Sequence, residues 1–182
     1  MRIISGQLKS RKISFPKNRL TRPMTDRTKE TLFNVLGNLI VGKHVLDLYA
    51  GSGSIGLESL SRGALTVTFV DKADWAIRVI QRNLLELGLN DKAKVIKGDA
   101  LRVIEKFKKA GSGFSIIFMD PPFQQGLVKK TLLKLDQSGI VLPFGQVVVG
   151  HTRQEELPEG LQTLRLARTK RLGQACLSFL FR

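Results

Sequence analysis

Short apolar runs alternate with amphipathic stretches along most of the chain. Residues 44–49, 67–70, 94–97, 116–119 and 145–149 have the length and the β-branched or aromatic content of strands. Between them lie helical spacings. Leu32, Phe33, Leu36 and Leu39 share one face of a helix over 25–39. Ile77, Ile80, Leu84 and Leu87 share a face of another that Gly88 ends, and Leu127, Val128, Leu132, Leu133 and Leu135 mark a third. Strand–helix alternation of this kind predicts an α/β fold around a mostly parallel sheet. Two further β-patterned runs, 163–166 and 175–181, flank a basic turn at 169–173 and predict an antiparallel pair that closes the sheet. At the other end, residues 2–5 and 12–15 predict a hairpin that Pro16 ends, with Lys9, Arg11 and Lys12 near its tip. The organisation expected is a basic hairpin extension over residues 1–20 and a single α/β domain over 21–182.

The predicted strands end in acids. Asp47 lies near the end of the first, Asp71 ends the second, Asp99 follows the third, and Asp120 follows the fourth. Ligands of open α/β sheets bind at the carboxyl ends of the strands, so four acids there are poorly explained as four independent caps. After the first strand comes Ala50-Gly51-Ser52-Gly53-Ser54-Ile55-Gly56, a G-x-G-x-x-G turn between strand and helix. Asp71, 20 residues after Gly51, stands where an acid accepts the ribose hydroxyls of an adenosine cofactor. A nicotinamide oxidoreductase would share these features. Asp47 shifts the balance, because a carboxylate beside the turn suits a cationic ligand such as the amino group of S-adenosylmethionine better than a pyrophosphate. Asp99 is placed to accept from an adenine amino group with Ala100 packed beside it, or simply to cap the next helix. Thr25 caps the helix that follows Arg22-Pro23, and that helix start with Arg22 could hold a carboxylate.

Asp120-Pro121-Pro122-Phe123 follows the most apolar of these strands. The prolines fix φ and remove two N–H donors, which leaves carbonyls free to accept. A carboxylate, a pinned carbonyl and an aromatic ring suit a flat ring bearing an exocyclic –NH2 group. Charge then says what carries that ring. The 182 residues have a net charge of +15 and a pI near 10.5. Nine Lys or Arg against two acids crowd residues 1–30, and five against none lie in 161–182, so the ends supply +12 of the total. That distribution points to a polyanion. Arg2, Lys9, Arg11, Lys12, Lys170 and Arg171 are the candidate phosphate contacts. The single cysteine, Cys176, excludes an internal disulfide and reads as buried and inert, which removes covalent attack on a pyrimidine. His44 and His151 lack metal-ligand spacing and read as structural, so no metal is expected. No stretch approaches a membrane span.

The segments MRIISGQLKSRKI…TRPMTDRTKETLFNVL, DLYAGSGSIGLESLSRGA, DPPF and KRLGQACLSF together resemble the RsmD family of class I S-adenosylmethionine-dependent methyltransferases, which act on the N2 amine of a guanine in small-subunit ribosomal RNA. The resemblance spans essentially the whole chain. It implies a Rossmann-like seven-stranded sheet with the last strand antiparallel. It implies S-adenosylmethionine as cofactor, held by Asp47, Ala50, Gly51, Gly53, Asp71, Asp99 and Ala100, with Arg22 and Thr25 near its methionine end. Asp120, Pro121, Pro122 and Phe123 become the catalytic turn. The implied partner is 16S rRNA in the small subunit or an assembly intermediate, met by a cytoplasmic monomer. The family usually has an acid after its fifth strand, where this chain reads Val149-Gly150-His151, and Tyr and Asp where it has Leu172 and Gln174. The Pro-Pro motif alone is shared with adenine-N6 enzymes. A non-catalytic RNA-binding assembly factor would share the basic ends but have no use for the cofactor residues.

Overall fold

A computed structural model describes residues 1–15 and 24–182. Seven strands form one sheet in the order β3-β2-β1-β4-β5-β7-β6. They are β1 (His44–Leu48), β2 (Thr66–Asp71), β3 (Ala93–Lys97), β4 (Phe114–Met119), β5 (Val141–Thr152), β6 (Arg165–Leu172) and β7 (Ala175–Phe181). Strands β1 to β5 run parallel, and β7 pairs antiparallel with both β5 and β6. Among the described residues five α-helices cover the sheet: α1 (Asp26–Leu36), α2 (Ser54–Ser61), α3 (Asp74–Leu87), α4 (Ala100–Lys109) and α5 (Leu127–Ser138).

Both faces of the central strands are buried, so successive side chains feed two cores. Val45, Val67, Phe69, Ile116, Phe118 and Val148 pack with α1, α2 and α3. Leu46, Leu48, Val70, Ile117, Met119 and Val149 pack with α4 and α5. This double burial is why these strands read as near-continuous apolar runs. The expected α/β architecture with a reversed strand at its end is what the chain forms.

Three local readings change. Leu39, expected on the buried face of α1, is 52% exposed. Helix α1 stops at Leu36, and Gly37–Ile40 tighten into a 3-10 turn, whose larger angular step rotates Leu39 outward. Lys170 and Arg171, expected in a turn, lie inside β6; the turn itself is only Gly173-Gln174. Strand β6 is the sheet edge and is exposed along nearly its whole length, so no apolar alternation marked it. Strand β5 is also longer than 145–149: its first residues bulge away from β4 between the Phe114–Val141 and Ile116–Gln146 pairs, and Gly150, His151 and Thr152 extend it by pairing with β7.

Residues 1–13 form a narrow ribbon around a single Arg2–Lys12 bridge. Its Ile3 and Ile13 join the core of α1, α2 and α3. A buried ion pair docks it. Glu58, fully buried on α2, accepts from Ile4 N (2.8 Å) and Ser5 N (3.0 Å) and from Arg62 Nε (2.9 Å). Lys29, fully buried on α1, donates to the Arg2 carbonyl (2.9 Å) and lies 3.8 Å from Glu58. Exposed Arg2, Lys9, Arg11 and Lys12 are therefore carried on a scaffold fixed to the sheet.

Candidate active site

Above the carboxyl ends of β1, β2, β3 and β4 lies a cleft of about 550 Å³. That volume is in the range of small-molecule sites. Its walls bring together Ala50, Gly51, Asp71, Asp99, Ala100, Asp120, Pro121, Pro122 and Phe123. Phe15, Met24, Tyr49 and Trp75 line it as well.

The glycine turn owes its shape to two contacts. Gly53 caps α2 in the left-handed region at φ 77°. A Cβ on Gly56 would fall 2.2 Å from the Phe69 ring, so only glycine lets α2 sit this close to β2. The acids are deployed differently from one another. Asp71 accepts from Gly51 N (2.8 Å) and Ala73 N (2.9 Å), which ties the turn to the start of α3. Asp99 caps α4 through Arg102 N (3.1 Å) and stays exposed, so the capping role and a place on the cleft wall coexist. Asp47 is not on the wall. It lies beneath the turn, 2% exposed, and accepts from Gly56 N (3.0 Å). Burial pushes its carboxyl up to about 8, and the charges of Asp120 and Asp71 push the same way against the Gly56 bond.

Asp120 makes no hydrogen bond to any described residue. Its carboxyl lies over Gly150 of β5, where a Cβ would fall 2.2 Å from Oδ1. Burial raises it to about 6, with the charge of Glu155 adding to the effect. A desolvated carboxyl aimed into a cleft is a candidate for a functional group. Beside it Pro121 is buried, and Phe123 is 46% exposed.

Of the other expected residues, Gly53 supports the turn from behind. Thr25 caps α1 by accepting from Thr28 N (3.2 Å) and is absent from the wall, although its neighbour Met24 is on it. Arg22 lies outside the described residues. Lys170 and Arg171 are exposed on β6, away from the cleft. His151 is buried, with Nδ1 toward the carbonyls of Thr152 (2.8 Å) and Glu155 (3.1 Å) and Nε2 toward Ser178 Oγ (2.8 Å). Those contacts make it structural. Cys176 is buried too.

Tyr49, the last residue of the first apolar run, is a wall residue that the motifs do not single out. It leaves β1 at φ 61°, and its hydroxyl meets Thr131 on α5 (2.7 Å), which holds the ring on the wall. Its place beside Asp47 and the glycine turn was the available signal; nothing in the pattern announced the positive φ. Trp75, half-buried near the start of α3, also lies on the wall.

A sheet of this strand order, with its ligand cleft over β1 to β4, is the class I methyltransferase fold. The chain belongs to the family described as conserved hypothetical protein 95, whose model matches residues 1–181. Ribosomal RNA small subunit methyltransferase D of Escherichia coli strain K12 is 35% identical over 174 residues, covering 96% of this chain and 86% of that protein. YlbH of Bacillus subtilis strain 168 is 39% identical over 173 residues, covering 95% and 94%. A solved structure of yhhF from Escherichia coli superposes with a TM-score of 0.89 at 34% identity, covering 100% of this chain and 97% of that one. The resemblance to the RsmD family drawn from the motifs is borne out.

Proposed function

We propose that the protein transfers the methyl group of S-adenosylmethionine to the exocyclic N2 of a guanine in 16S ribosomal RNA. The observation that carries this reading is Asp120: a desolvated carboxyl without a described partner, next to Pro121 and Phe123, facing the cleft that Gly51, Asp71, Asp99 and Ala100 also line. The name of the Escherichia coli relative supports ribosomal RNA of the small subunit as the substrate.

The cofactor supplies a methyl group already activated on a sulfonium. What the chain adds is placement. Asp71 accepts from the ribose hydroxyls, Asp99 from the adenine amine, and Ala100 packs on the base. Ala50 and Gly51 would shape the methionine side of the cofactor, with Gly53 and Asp47 behind and beneath the turn. Guanine N2 is a poor nucleophile because its lone pair is delocalised into the ring. Hydrogen bonds from the amine to the Asp120 carboxylate and the Pro121 carbonyl favour a pyramidal nitrogen and stabilise the positive charge that grows on it. Contacts that strengthen in the transition state are the ones that accelerate the step. Pro122 keeps the turn rigid, and Phe123 stacks on the base, worth about 1–3 kcal/mol. The base must leave any helix or stack to reach the cleft. Arg2, Lys9, Arg11 and Lys12 on the ribbon, with Lys170 and Arg171 on β6, contact phosphates. No described helix is long and apolar enough to cross a membrane. Cytoplasmic action as a monomer on the small subunit or an assembly intermediate completes the reading.

The test is to delete the protein, isolate ribosomal RNA and map the lost methyl group by mass spectrometry. Loss of one N2-methylguanine is expected, restored by the wild-type protein and not by Asp120→Ala. Restoration by Asp120→Ala at a near wild-type rate, or a lost methyl on adenine N6, overturns it.

A further inference from the structure

The Asp-Pro-Pro-Phe turn has a structural weakness that follows from its own chemistry. Pro121 and Pro122 have no N–H, so neither can tie the turn down by donating a hydrogen bond. Gln124 comes just after Phe123, and its backbone sits at φ 60°, a conformation a non-glycine residue keeps only when its surroundings impose it. What imposes it is a carboxylate from another part of the chain. Glu155, 31 residues on, accepts from Gln124 N through Oε1 at 2.9 Å. Its Oε2 accepts from Thr152 N (3.0 Å) and from Thr152 Oγ1 (3.1 Å), which fixes the carboxylate to the end of β5. The Glu155 carbonyl is in turn held by buried His151, whose other nitrogen meets Ser178 on β7. A weaker side-chain contact, Gln124 Nε2 to Gln154 Oε1 at 3.3 Å, runs alongside. The end of β5 thus frames the turn from both sides. Gly150 makes room for Asp120 at its start, and Glu155 holds Gln124 at its finish.

We infer that Glu155 is a positioning residue for the target base: by anchoring Gln124 it sets where the Phe123 ring meets the base and where the amine meets Asp120. This rests on the reading of the turn as the seat of the accepting amine. Glu155 does not line the cleft, so it acts through the turn and not by touching substrate.

Three measurements on Glu155→Ala, Glu155→Gln and the neighbouring control Gln154→Ala test it. They are hydrogen exchange of the peptide containing the Gln124 amide, calorimetry with S-adenosylmethionine, and steady-state methylation of small-subunit RNA from cells lacking the protein. In Glu155→Ala the Gln124 amide should exchange about 10-fold faster or more, because its local opening is no longer opposed. Its kcat should fall about 100-fold, as misplacement of reacting groups by an ångström does. The cofactor Kd should stay within about twofold, and so should the KM for RNA, whose binding is dominated by phosphate contacts. Glu155→Gln keeps an oxygen for the amide and should recover most of the rate, and Gln154→Ala should match wild type. Unchanged exchange in Glu155→Ala overturns the anchor. A loss of cofactor affinity as large as the loss of kcat makes the role merely structural, and no recovery in Glu155→Gln also overturns the proposal. A wild-type protein that methylates no ribosomal RNA yet protects the Gln124 amide sinks the functional reading, and the positioning role with it, while the anchor stands.

Discussion

Replacing Asp47 by Asn separates what this acid does for the fold from what it does for the cofactor. The side chain is 2% exposed and receives one described hydrogen bond, from Gly56 N. Burial first, then the charges of Asp120 and Asp71, raise its carboxyl to about 8. An unfolded chain ionises the same group near pH 3.9. Below that pH both states hold the proton, and the group costs nothing. Between about pH 4 and pH 8 the folded state binds more protons than the unfolded one, so the contribution to stability falls as pH rises. Above pH 8 both states are ionised and the cost is constant. At pH 7, about three units above the unfolded pKa and still below the folded one, this corresponds to roughly 4 kcal/mol against the ligand-free fold. Asparagine has the same shape, keeps an oxygen for Gly56, and carries no charge to desolvate. Asp47→Asn should therefore stabilise the ligand-free protein at pH 7 by about 2–4 kcal/mol, a rise in Tm of roughly 5–10 °C for a chain of this size. The gain should vanish at pH 4. Cofactor binding should move the other way. If the carboxylate faces the amino group of S-adenosylmethionine, losing a charged hydrogen bond worth about 1.5–3 kcal/mol weakens Kd some 10- to 100-fold. Scanning calorimetry at pH 4 and 7 and titration calorimetry with S-adenosylmethionine read both effects. A lower Tm at pH 7, or a gain that persists unchanged at pH 4, refutes the reasoning; an unchanged Kd removes Asp47 from the cofactor site.

Gly150→Ala should cut methyl transfer by about 10-fold or more, because its Cβ would fall 2.2 Å from Asp120 Oδ1 and displace the carboxyl, while calorimetry should show cofactor binding intact. Glu58→Gln leaves the buried Lys29 ammonium only the half-exposed Asp26 as counter-charge and weakens the acceptor for Ile4 N and Ser5 N, which should cost about 3 kcal/mol, and limited trypsin digestion should then cut faster at Lys9, Arg11 and Lys12. Lys170→Ala with Arg171→Ala should weaken RNA binding and lower the slope of log K against log salt by about 1–2, while leaving kcat at saturating RNA unchanged.

What could be read from the residues follows from how each element meets solvent. Strands β1 and β4 and the later part of β5 are buried on both faces, and their apolar runs stand out against the turns that follow them. Strand β6 is exposed on both faces at the sheet edge, so its Arg, Lys and Thr look like a loop. Leu39 fits helical spacing, and only the tightening of the backbone after Gly37 takes it out of the core. Glu155 belongs to no motif. Its importance depends on a turn 31 residues earlier that cannot anchor itself, a relation that exists only once β4 and β5 are paired.

The four acids at the strand ends show the same limit more sharply. In the sequence they look equivalent, one carboxylate at or just after the end of each of four neighbouring strands. In the fold they differ by how many backbone N–H groups reach them. Asp71 receives two, Asp99 one at a helix start, Asp47 one in the dark beneath the glycine turn, and Asp120 none from the described residues. A carboxylate has about four lone-pair sites, so Asp71 still has some for a ligand, whereas a carboxyl that no protein donor reaches is costly until one arrives. Asp120, half-buried and open to the cleft, keeps its lone pairs free because Pro121 and Pro122 cannot donate to it and Gly150 offers no side chain beneath it. The two prolines thus act twice, by freeing carbonyls and by withholding donors from the adjacent acid. An incoming amine, with two N–H groups and a developing positive charge, supplies what that acid lacks.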